Sequence, residues 1–240
     1  MDTIKIDKKN TKLVAHRGLS GLECENTCAA FIAAANRSYW GIETDVHATA
    51  DGNYIVMHDA DSGHRVSDTS VIVSECTLPE IQSVLLKNPR TGEVRNDYRI
   101  PTLQEYISIC KRYDKVAVAE LKTDFTEEQI AEIIQIIEGM DHLQNTVFIS
   151  FCWENLLKIK KLRPDQPVQF LCWEIDDAKL EELAENKMDL DICRTGISEA
   201  LVKKVHEKGL KINSWTIDTS EEAQQDIAWG TDFITTNILE

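Results

Sequence analysis

The sequence predicts an α/β protein in which eight parallel strands, alternating with helices, close into a barrel. Three observations lead to this prediction. From Lys12 onward, short apolar or β-branched runs alternate with amphipathic segments. Eight of these runs are suited to strands. Helix-capping pairs begin several of the segments between them. A chain of 240 residues is long enough for one such barrel or for two small domains, and the strand number favours the barrel.

The predicted strands are short and bounded by polar or turn-forming residues, as expected for strands buried inside a parallel barrel. They comprise residues 12–15, 41–46, 115–121, 146–151, 167–172, 190–193, 210–215 and 232–235. Because parallel strands need a crossover connection, a helix is expected between each of them and the next.

Helix starts between these strands are marked by a threonine followed three residues later by a glutamate or glutamine. Such pairs satisfy two free backbone N–H groups at a helix start. The pairs are Thr77 with Glu80, Thr126 with Gln129, and Thr219 with Glu222. After the second pair, isoleucines at positions 130, 133, 134 and 137 form one apolar stripe, and Gly139 provides the stop. This helix is expected on the outside of the barrel.

The regular alternation is interrupted after the second strand. Asp51-Gly52 predicts a tight hairpin turn that returns the chain toward His58, beside the second strand. The polar region at about 60–100 follows, with one predicted helix, and it is expected to form a small insertion or lid. Residues 1–240 are therefore expected to form a single barrel domain that carries this insertion.

The last predicted strand is followed almost at once by Glu240, which leaves no room for an ordinary eighth outer helix. Another element must cover that flank of the barrel. The N-terminal segment or a neighbouring subunit of a homo-oligomer are the two alternatives, and both remain open at this point.

Composition restricts the classes of partner. The formal net charge of −15 disfavours nucleic acid and anionic membrane surfaces, which carry phosphates of the same sign. No apolar run approaches the roughly 18 residues of a membrane span, so no stable membrane insertion is expected, and the N-terminal residues lack the apolar core of a signal peptide. Seven scattered cysteines without a C-x-x-C pair indicate reduced thiols. A cytoplasmic location is expected.

Carboxylates lie on two predicted strands, near the strand ends that are expected to form the functional end of the barrel. Glu43 and Asp45 point the same way because side chains alternate along a strand, and Glu120 lies on the next predicted strand. Three converging carboxylates repel one another unless a cation holds them, and oxygen ligands suit Mg²⁺ or Ca²⁺ better than Zn²⁺. The pattern predicts one divalent cation, either Mg²⁺ or Ca²⁺.

Basic residues and histidines accompany these acids. Arg17 and Lys122 would bind the oxygens of a phosphate beside the cation. His16 and His58 would supply a general acid and a general base, because the pKa of histidine lies near working pH. Cleavage of a phosphoester uses all of these groups, whereas the division of labour between the two histidines remains open.

The same residues fall in motifs that follow one another in the order of a known family. The motifs are Val14-Ala15-His16-Arg17-Gly18, Glu25-Asn26-Thr27, Gly41-Ile42-Glu43-Thr44-Asp45-Val46, Thr49-Ala50-Asp51-Gly52, Val56-Met57-His58-Asp59, Ile100-Pro101-Thr102-Leu103, Glu120-Leu121-Lys122, Ser150-Phe151 and Trp215-Thr216. In them the chain resembles the glycerophosphodiester phosphodiesterase family over essentially its whole length.

This resemblance implies a TIM barrel with a small insertion after the second strand. It also implies Glu43, Asp45 and Glu120 as metal ligands, and it places Trp215 as an apolar wall near the glycerol of a small-molecule glycerophosphodiester. Two positions depart from the family pattern. Cys24 stands where the family usually has proline, and Thr236-Asn237-Ile238 replaces its usual closing Thr-Asp-x-Pro.

Hydrolysis of a glycerophosphodiester to glycerol 3-phosphate and an alcohol is the favoured hypothesis, and other interpretations stand beside it. A phospholipase-like phosphodiesterase acting on lysolipids would need an apolar mouth, and a noncatalytic barrel could bind phosphorylated ligands through the same basic residues. Locally, Glu120 and Lys122 could be a structural ion pair. Attack by water and attack by a neighbouring substrate hydroxyl also remain alternatives.

Overall fold

Eight parallel strands close into a barrel in the computed structural model, which describes residues 2–61, 65–67, 69–88 and 90–240. The closing contacts pair the first strand with both the second and the last. The predicted (β/α)8 TIM-barrel fold is confirmed. The barrel strands are β1 (Lys12–Ala15), β2 (Gly41–Ala48), β4 (Val116–Leu121), β5 (Thr146–Ser150), β6 (Val168–Cys172), β7 (Asp189–Cys193), β8 (Ile212–Trp215) and β9 (Phe233–Thr236), and β3 (Tyr54–Val56) pairs with β2 in the antiparallel sense.

Except for one short helix in the segment after β3, the helices follow the barrel strands and cover their outer faces. They are α1 (Cys28–Ala35), α2 (Leu78–Gln82), α3 (Leu103–Arg112), α4 (Glu127–Gly139), α5 (Trp153–Leu162), α6 (Asp177–Glu185), α7 (Glu199–Glu207) and α8 (Ser220–Trp229). The predicted capping pairs begin α2, α4 and α8. The isoleucine stripe of α4 is buried against the barrel, as its spacing predicts. No helix in the described part of the chain is long and apolar enough to cross a membrane.

The hairpin predicted at Asp51-Gly52 is present, since β3 pairs with the end of β2. Beyond it, the segment between β3 and α3 contains α2, a 3₁₀ turn at Val73–Glu75 and a hydrophobic cluster separate from the main core. Within the insertion predicted at about 60–100, residues 62–64, 68 and 89 lie outside the described residues. This segment reaches the barrel mouth on the side of β2.

Two extended segments cover the flank that follows β9. Ile4 pairs in the parallel sense with Leu239, and the N–H of Ile6 donates to the carbonyl of Glu240 at 2.8 Å. These segments lie between α1 and α8, because Glu240 contacts Arg37 after α1 and the Gln224 side chain of α8 donates to the carbonyl of Asp7. Of the two alternatives that the sequence left open, the N-terminal segment takes this position.

β8 begins later than predicted, at a point where a side chain replaces a ladder hydrogen bond. β8 begins at Ile212, because the N–H of Lys211 donates to the Asp189 carboxylate at 2.8 Å. The outward residues of β2, such as Ile42 and Val46, belong to the main hydrophobic core beneath the helices. The inward positions of the same strand therefore remain for Glu43 and Asp45, which places these acids inside the barrel.

Candidate active site

The strand ends bring all the predicted site residues together at one end of the barrel. A cavity of about 270 Å³ opens there. Its lining includes His16, Arg17, Glu43, His58, Glu120, Lys122 and Trp215. Asp45 lies directly behind this surface and is only 1% exposed. Residues that are far apart in the chain thus share one site, as expected for the carboxyl ends of parallel barrel strands.

Three buried carboxylates form the centre of the site. Glu43, Asp45 and Glu120 each offer an oxygen within 4.8 Å of the others. Asp45 and Glu120 are direct neighbours in the register of β2 and β4. Burial, followed by repulsion from Asp45 and Glu120, raises the pKa of Glu43 well above its usual value. Burial and the charge of Asp45 likewise raise the pKa of Glu120 to about 7.

Asp45 remains the ionised member of this group. Burial by itself raises its pKa, but Arg17 and Lys122 outweigh burial and hold the pKa below its ordinary range. One of its oxygens, Oδ1, is buried 3.3 Å from the Lys122 ammonium, while Oδ2 accepts from the Asn26 amide at 2.7 Å. An oxygen-only donor set of three crowded, buried acids fits a hard divalent cation. These three residues could hold one.

Two basic side chains flank the carboxylates. The Lys122 ammonium lies 2.9 Å from Glu120 and 3.3 Å from Asp45, and Arg17 Nε lies 3.4 Å from Asp45. Arg17 also donates to Glu25 at 2.9 Å, which fixes the guanidinium at the mouth. With the three acids, Arg17 and Lys122 form what we call the charged wall of the cavity. An anionic phosphate would meet positive charge at this wall despite the negative charge of the whole chain.

The turn after β1 sets the position of Arg17. Arg17 adopts a φ of +55° and Gly18 a φ of +76°. A Cβ on Gly18 would lie 2.7 Å from the backbone carbon of Ala30, so glycine is required here by space as well as by conformation. The turn aims the Arg17 N–H at Glu43, to which it donates at 2.8 Å. Local backbone geometry thereby joins the first strand to the acid cluster.

His16 is held by an amide and not by a carboxylate. Its Nδ1 donates to Asn237 Oδ1 at 2.8 Å, and the Ser20 hydroxyl donates to the same oxygen at 2.6 Å. The Asn237 amide nitrogen in turn donates to Asp218 at 2.6 Å, which fixes which end of the amide faces the histidine. Burial, together with the nearby Arg17 charge, lowers the pKa of His16 to about 4. The ring is neutral, with its proton on Nδ1.

His58 has a carboxylate partner. Its Nδ1 lies 2.8 Å from Asp59 Oδ1, and Arg65 donates to the other Asp59 oxygen at 2.8 Å. Arg65 also pairs with Glu25, which bonds Arg17. Burial, with the charges of Arg17 and Lys122, lowers the pKa of His58, although Asp45 and Asp59 act to raise it. A chain of charges therefore connects His58 to Arg17 through a residue of the segment after β3.

Several residues of this site were not assigned a role from the sequence. They are Asn26, Arg65, Asp191, Asp218 and Asn237. Asn26 lies in a motif beside Glu25, and Asp191 occupies an inward strand position, so strand alternation could have found it. Asp218 and Arg65 lie in loops that no local pattern connects to the site. Their roles depend on tertiary contacts alone.

Opposite the charged wall, three aromatic side chains line the mouth. Trp173 and Trp215 have ring centroids 4.9 Å apart, and Phe151 lies 5.7 Å from Trp215 in an edge-to-face arrangement. Trp173 is 61% exposed and Phe151 is 42% exposed. We call Phe151, Trp173 and Trp215 the aromatic wall. Exposed aromatic rings beside a cavity commonly mark a surface that binds a ligand.

Comparison with known proteins agrees with this geometry. The model of the glycerophosphoryl diester phosphodiesterase family matches residues 16–240. A glycerophosphodiester phosphodiesterase of Caldanaerobacter subterraneus subsp. tengcongensis is 30% identical over 234 residues, covering 95% of this chain and 94% of the relative.

Two solved structures have the same fold. A phosphodiesterase of Oleispira antarctica, in complex with the product sn-glycerol-3-phosphate, gives a TM-score of 0.84 at 25% identity and covers 94% of this chain and 92% of its own. A glycerophosphodiester phosphodiesterase of Parabacteroides distasonis gives a TM-score of 0.80 at 29% identity, covering 96% of this chain and 94% of its own.

Proposed function

The chain belongs to the glycerophosphoryl diester phosphodiesterase family, and we propose that it hydrolyses glycerophosphodiesters to glycerol 3-phosphate and an alcohol. The observation that carries this proposal is the charged wall, in which the oxygens of three buried carboxylates lie within 4.8 Å of one another. Arg17, Lys122 and two histidines line the same cavity. The relative that binds sn-glycerol-3-phosphate as its product supports this choice of product.

Glu43, Asp45 and Glu120 would hold one divalent cation, Mg²⁺ or Ca²⁺. When bound, this cation supplies positive charge to the oxygens of the phosphate. Arg17 and Lys122 bind and orient the same phosphate, since a guanidinium and an ammonium both stabilise charge on non-bridging oxygens. The cation also offsets the repulsion that raises the pKa of Glu43 and Glu120.

The surroundings of the histidines support a division of their roles. His16 is neutral and donates through Nδ1 to Asn237, so its Nε2 is free to accept a proton from the attacking oxygen. His58 has the Asp59 carboxylate behind it, which stabilises a protonated ring. His58 would then donate a proton to the alcohol oxygen as its bond to phosphorus breaks.

The attacking oxygen comes either from water or from a neighbouring hydroxyl of the substrate's glyceryl group. In the first case the products form directly. In the second case a cyclic phosphate forms first, and water opens it afterwards. Phosphorus-31 spectra of the reaction separate the two routes, because only the second one produces a transient cyclic phosphate signal.

The proposal is tested by assaying the release of glycerol 3-phosphate from a panel of glycerophosphodiesters, with Mg²⁺ or Ca²⁺ and with a chelator. Release is expected only with the cation, and His16→Ala is expected to abolish it while leaving the thermal unfolding curve intact. His206→Gln serves as the matched control, since His206 contacts Asp232 away from the cavity. Absence of cation-dependent release from every diester would overturn the proposal and favour a noncatalytic phosphate-binding barrel.

A second candidate function is supported by the aromatic wall. The sequence shows no apolar mouth in the polar segment after β3, but the exposed rings of Phe151 and Trp173 provide one on the opposite side. Such a surface would suit the acyl chain of a lysolipid. Rates on lysophosphatidylcholine and on glycerophosphocholine separate the two functions, since they carry the same headgroup and differ only in the acyl chain.

A further inference from the structure

Asp191 is a buried acid in the cavity that the proposed reaction does not use. It lies on β7, lines the cavity and is 1% exposed. Its Oδ1 is buried and has no hydrogen-bond partner within the described part of the chain. A buried polar atom without a partner is costly, so such an atom beside a cavity indicates a group that receives its partner from a ligand.

The position of Asp191 is opposite the charged wall. In the closed barrel, β7 is four strands from β2 in either direction around the ring. Two polar neighbours share this side of the interior, since the Asn213 amide on β8 donates to the Thr235 hydroxyl on β9 at 2.9 Å. Thr235 also lines the cavity. Asp191 and Thr235 therefore give the cavity a polar floor below the aromatic wall, next to the apolar side chains of Ile149 and Leu171.

The protonation state of Asp191 follows from its surroundings. Burial, with the nearby Glu120 charge, raises the pKa of Asp191 well above its usual value, although Asn213 acts in the opposite direction. No ion pair to Asp191 is found among the described residues. A neutral carboxyl group can both donate and accept a hydrogen bond, which matches an alcohol hydroxyl.

A phosphodiester has two arms on its phosphate, and the cavity has two surfaces to receive them. Within the aromatic wall, the half-buried Trp215 would lie near the glyceryl arm, and the exposed rings of Phe151 and Trp173 can take alcohol groups of different sizes. The polar floor is buried, and its carboxyl and hydroxyl groups suit the hydroxyls of a small polyol. With the phosphate on the charged wall, the glyceryl arm would reach the floor.

We propose that Asp191 donates a hydrogen bond to a hydroxyl of the glyceryl arm and so determines the preference of the enzyme for glycerol esters. This inference rests on the proposed function and assigns a specificity role to one further residue. Asp191 touches the substrate away from the bond that breaks. Its removal is therefore expected to affect recognition of the polyol more than recognition of the phosphate.

The test is calorimetric titration of the full chain, in the presence of Mg²⁺, with glycerol 3-phosphate and with propyl phosphate, which lacks both hydroxyls. Wild-type protein is expected to bind glycerol 3-phosphate with about 10-fold or more higher affinity than propyl phosphate, which corresponds to one good hydrogen bond. Asp191→Ala is expected to reduce this preference by about 10-fold. Asp191→Asn, which retains an N–H donor, is expected to keep this preference within about 2-fold of the wild-type value.

Asp189→Asn is the matched control, because Asp189 lies on the same strand but accepts from the Lys211 backbone outside the cavity. Equal weakening of both ligands by Asp191→Ala, or an Asn variant that behaves like the Ala variant, would overturn the inference. If Asp191→Ala does not fold, thermal unfolding will show the defect, and the inference is then tested by comparing Asp191→Asn with the wild type. Turnover of glycerophosphocholine is measured separately, so a wild-type protein without turnover contradicts the proposed function and not the assignment of Asp191.

Discussion

The two walls of the cavity are built in opposite ways. The charged wall consists of residues on or next to β1, β2 and β4, and its acids are almost completely buried. Each of its members contacts at least one other, as in the pairs of Lys122 with Asp45 and Glu120. The aromatic wall lies at and just beyond the ends of β5, β6 and β8, and two of its three rings are largely exposed.

This difference separates the chemistry of the site from its specificity. Residues of the charged wall are held by strand register and by one another, so a change in one alters the charge and the pKa of the rest. In the aromatic wall, the exposed Phe151 and Trp173 contact mainly solvent and neighbouring rings, and Trp215 also packs against the apolar cluster inside the barrel. We therefore expect substitutions in the charged wall to act on every substrate and those in the aromatic wall to discriminate among substrates.

The largest effect is expected for Asp45→Asn. This change removes the ionised acid that Arg17, Lys122 and Asn26 all contact. The expected result is a loss of kcat/KM on the order of 10²- to 10³-fold for every diester, together with weaker cation binding. Steady-state kinetics and calorimetric titration with Mg²⁺ measure the two effects.

Asp165→Asn, which removes an exposed acid between α5 and β6, is the control for the change in net charge. A loss confined to one headgroup class would contradict the role of the charged wall, because the phosphate is common to all the substrates.

An intermediate effect is expected for Asn237→Asp, which places a carboxylate beside His16 where the family usually has one. The carboxylate would raise the pKa of His16 from its value of about 4. A base works only when deprotonated, so the acidic limb of kcat/KM should move to higher pH. The kcat/KM of the variant at pH 5 should be about 10-fold lower than its kcat/KM at pH 8.

Asn145→Asp is the control for this prediction, since Asn145 is exposed at the start of β5, at the other end of the barrel. An unchanged pH profile for Asn237→Asp would show that His16 is not the base. In that case the roles of the two histidines would have to be exchanged.

The smallest effect is expected for Trp173→Ala. Removing this exposed ring should lower kcat/KM for diesters with large apolar alcohols by about 3- to 10-fold, mainly through KM. Diesters of small polar alcohols should change by less than about 2-fold. Trp173→Phe, which keeps an aromatic ring, should lie close to the wild type. An equal loss on both substrate classes would remove the distinction between the two walls.

Much of the barrel was predictable because it follows from local patterns. The strand runs and capping pairs are repeated features of the chain, and the alternation within β2 assigned Glu43 and Asp45 to the interior before any contact was known. The same alternation also places Asp191 inside the barrel, but no sequence motif on β7 indicates a function for it. Sequence order could not connect Arg65 to Glu25, because a salt bridge between two loops depends on their final placement.

The sequence by itself determined which residue types face the barrel interior, since strand periodicity and apolar content decide which face is buried. It also supplied an acid set suited to a hard cation. Only the tertiary structure decided how these groups act on one another. The low pKa of His16, the amide that fixes its proton and the N-terminal segment that covers the last strand all arise from contacts between distant parts of the chain. Burial and charge depend on all neighbours in space, and local sequence specifies only some of them.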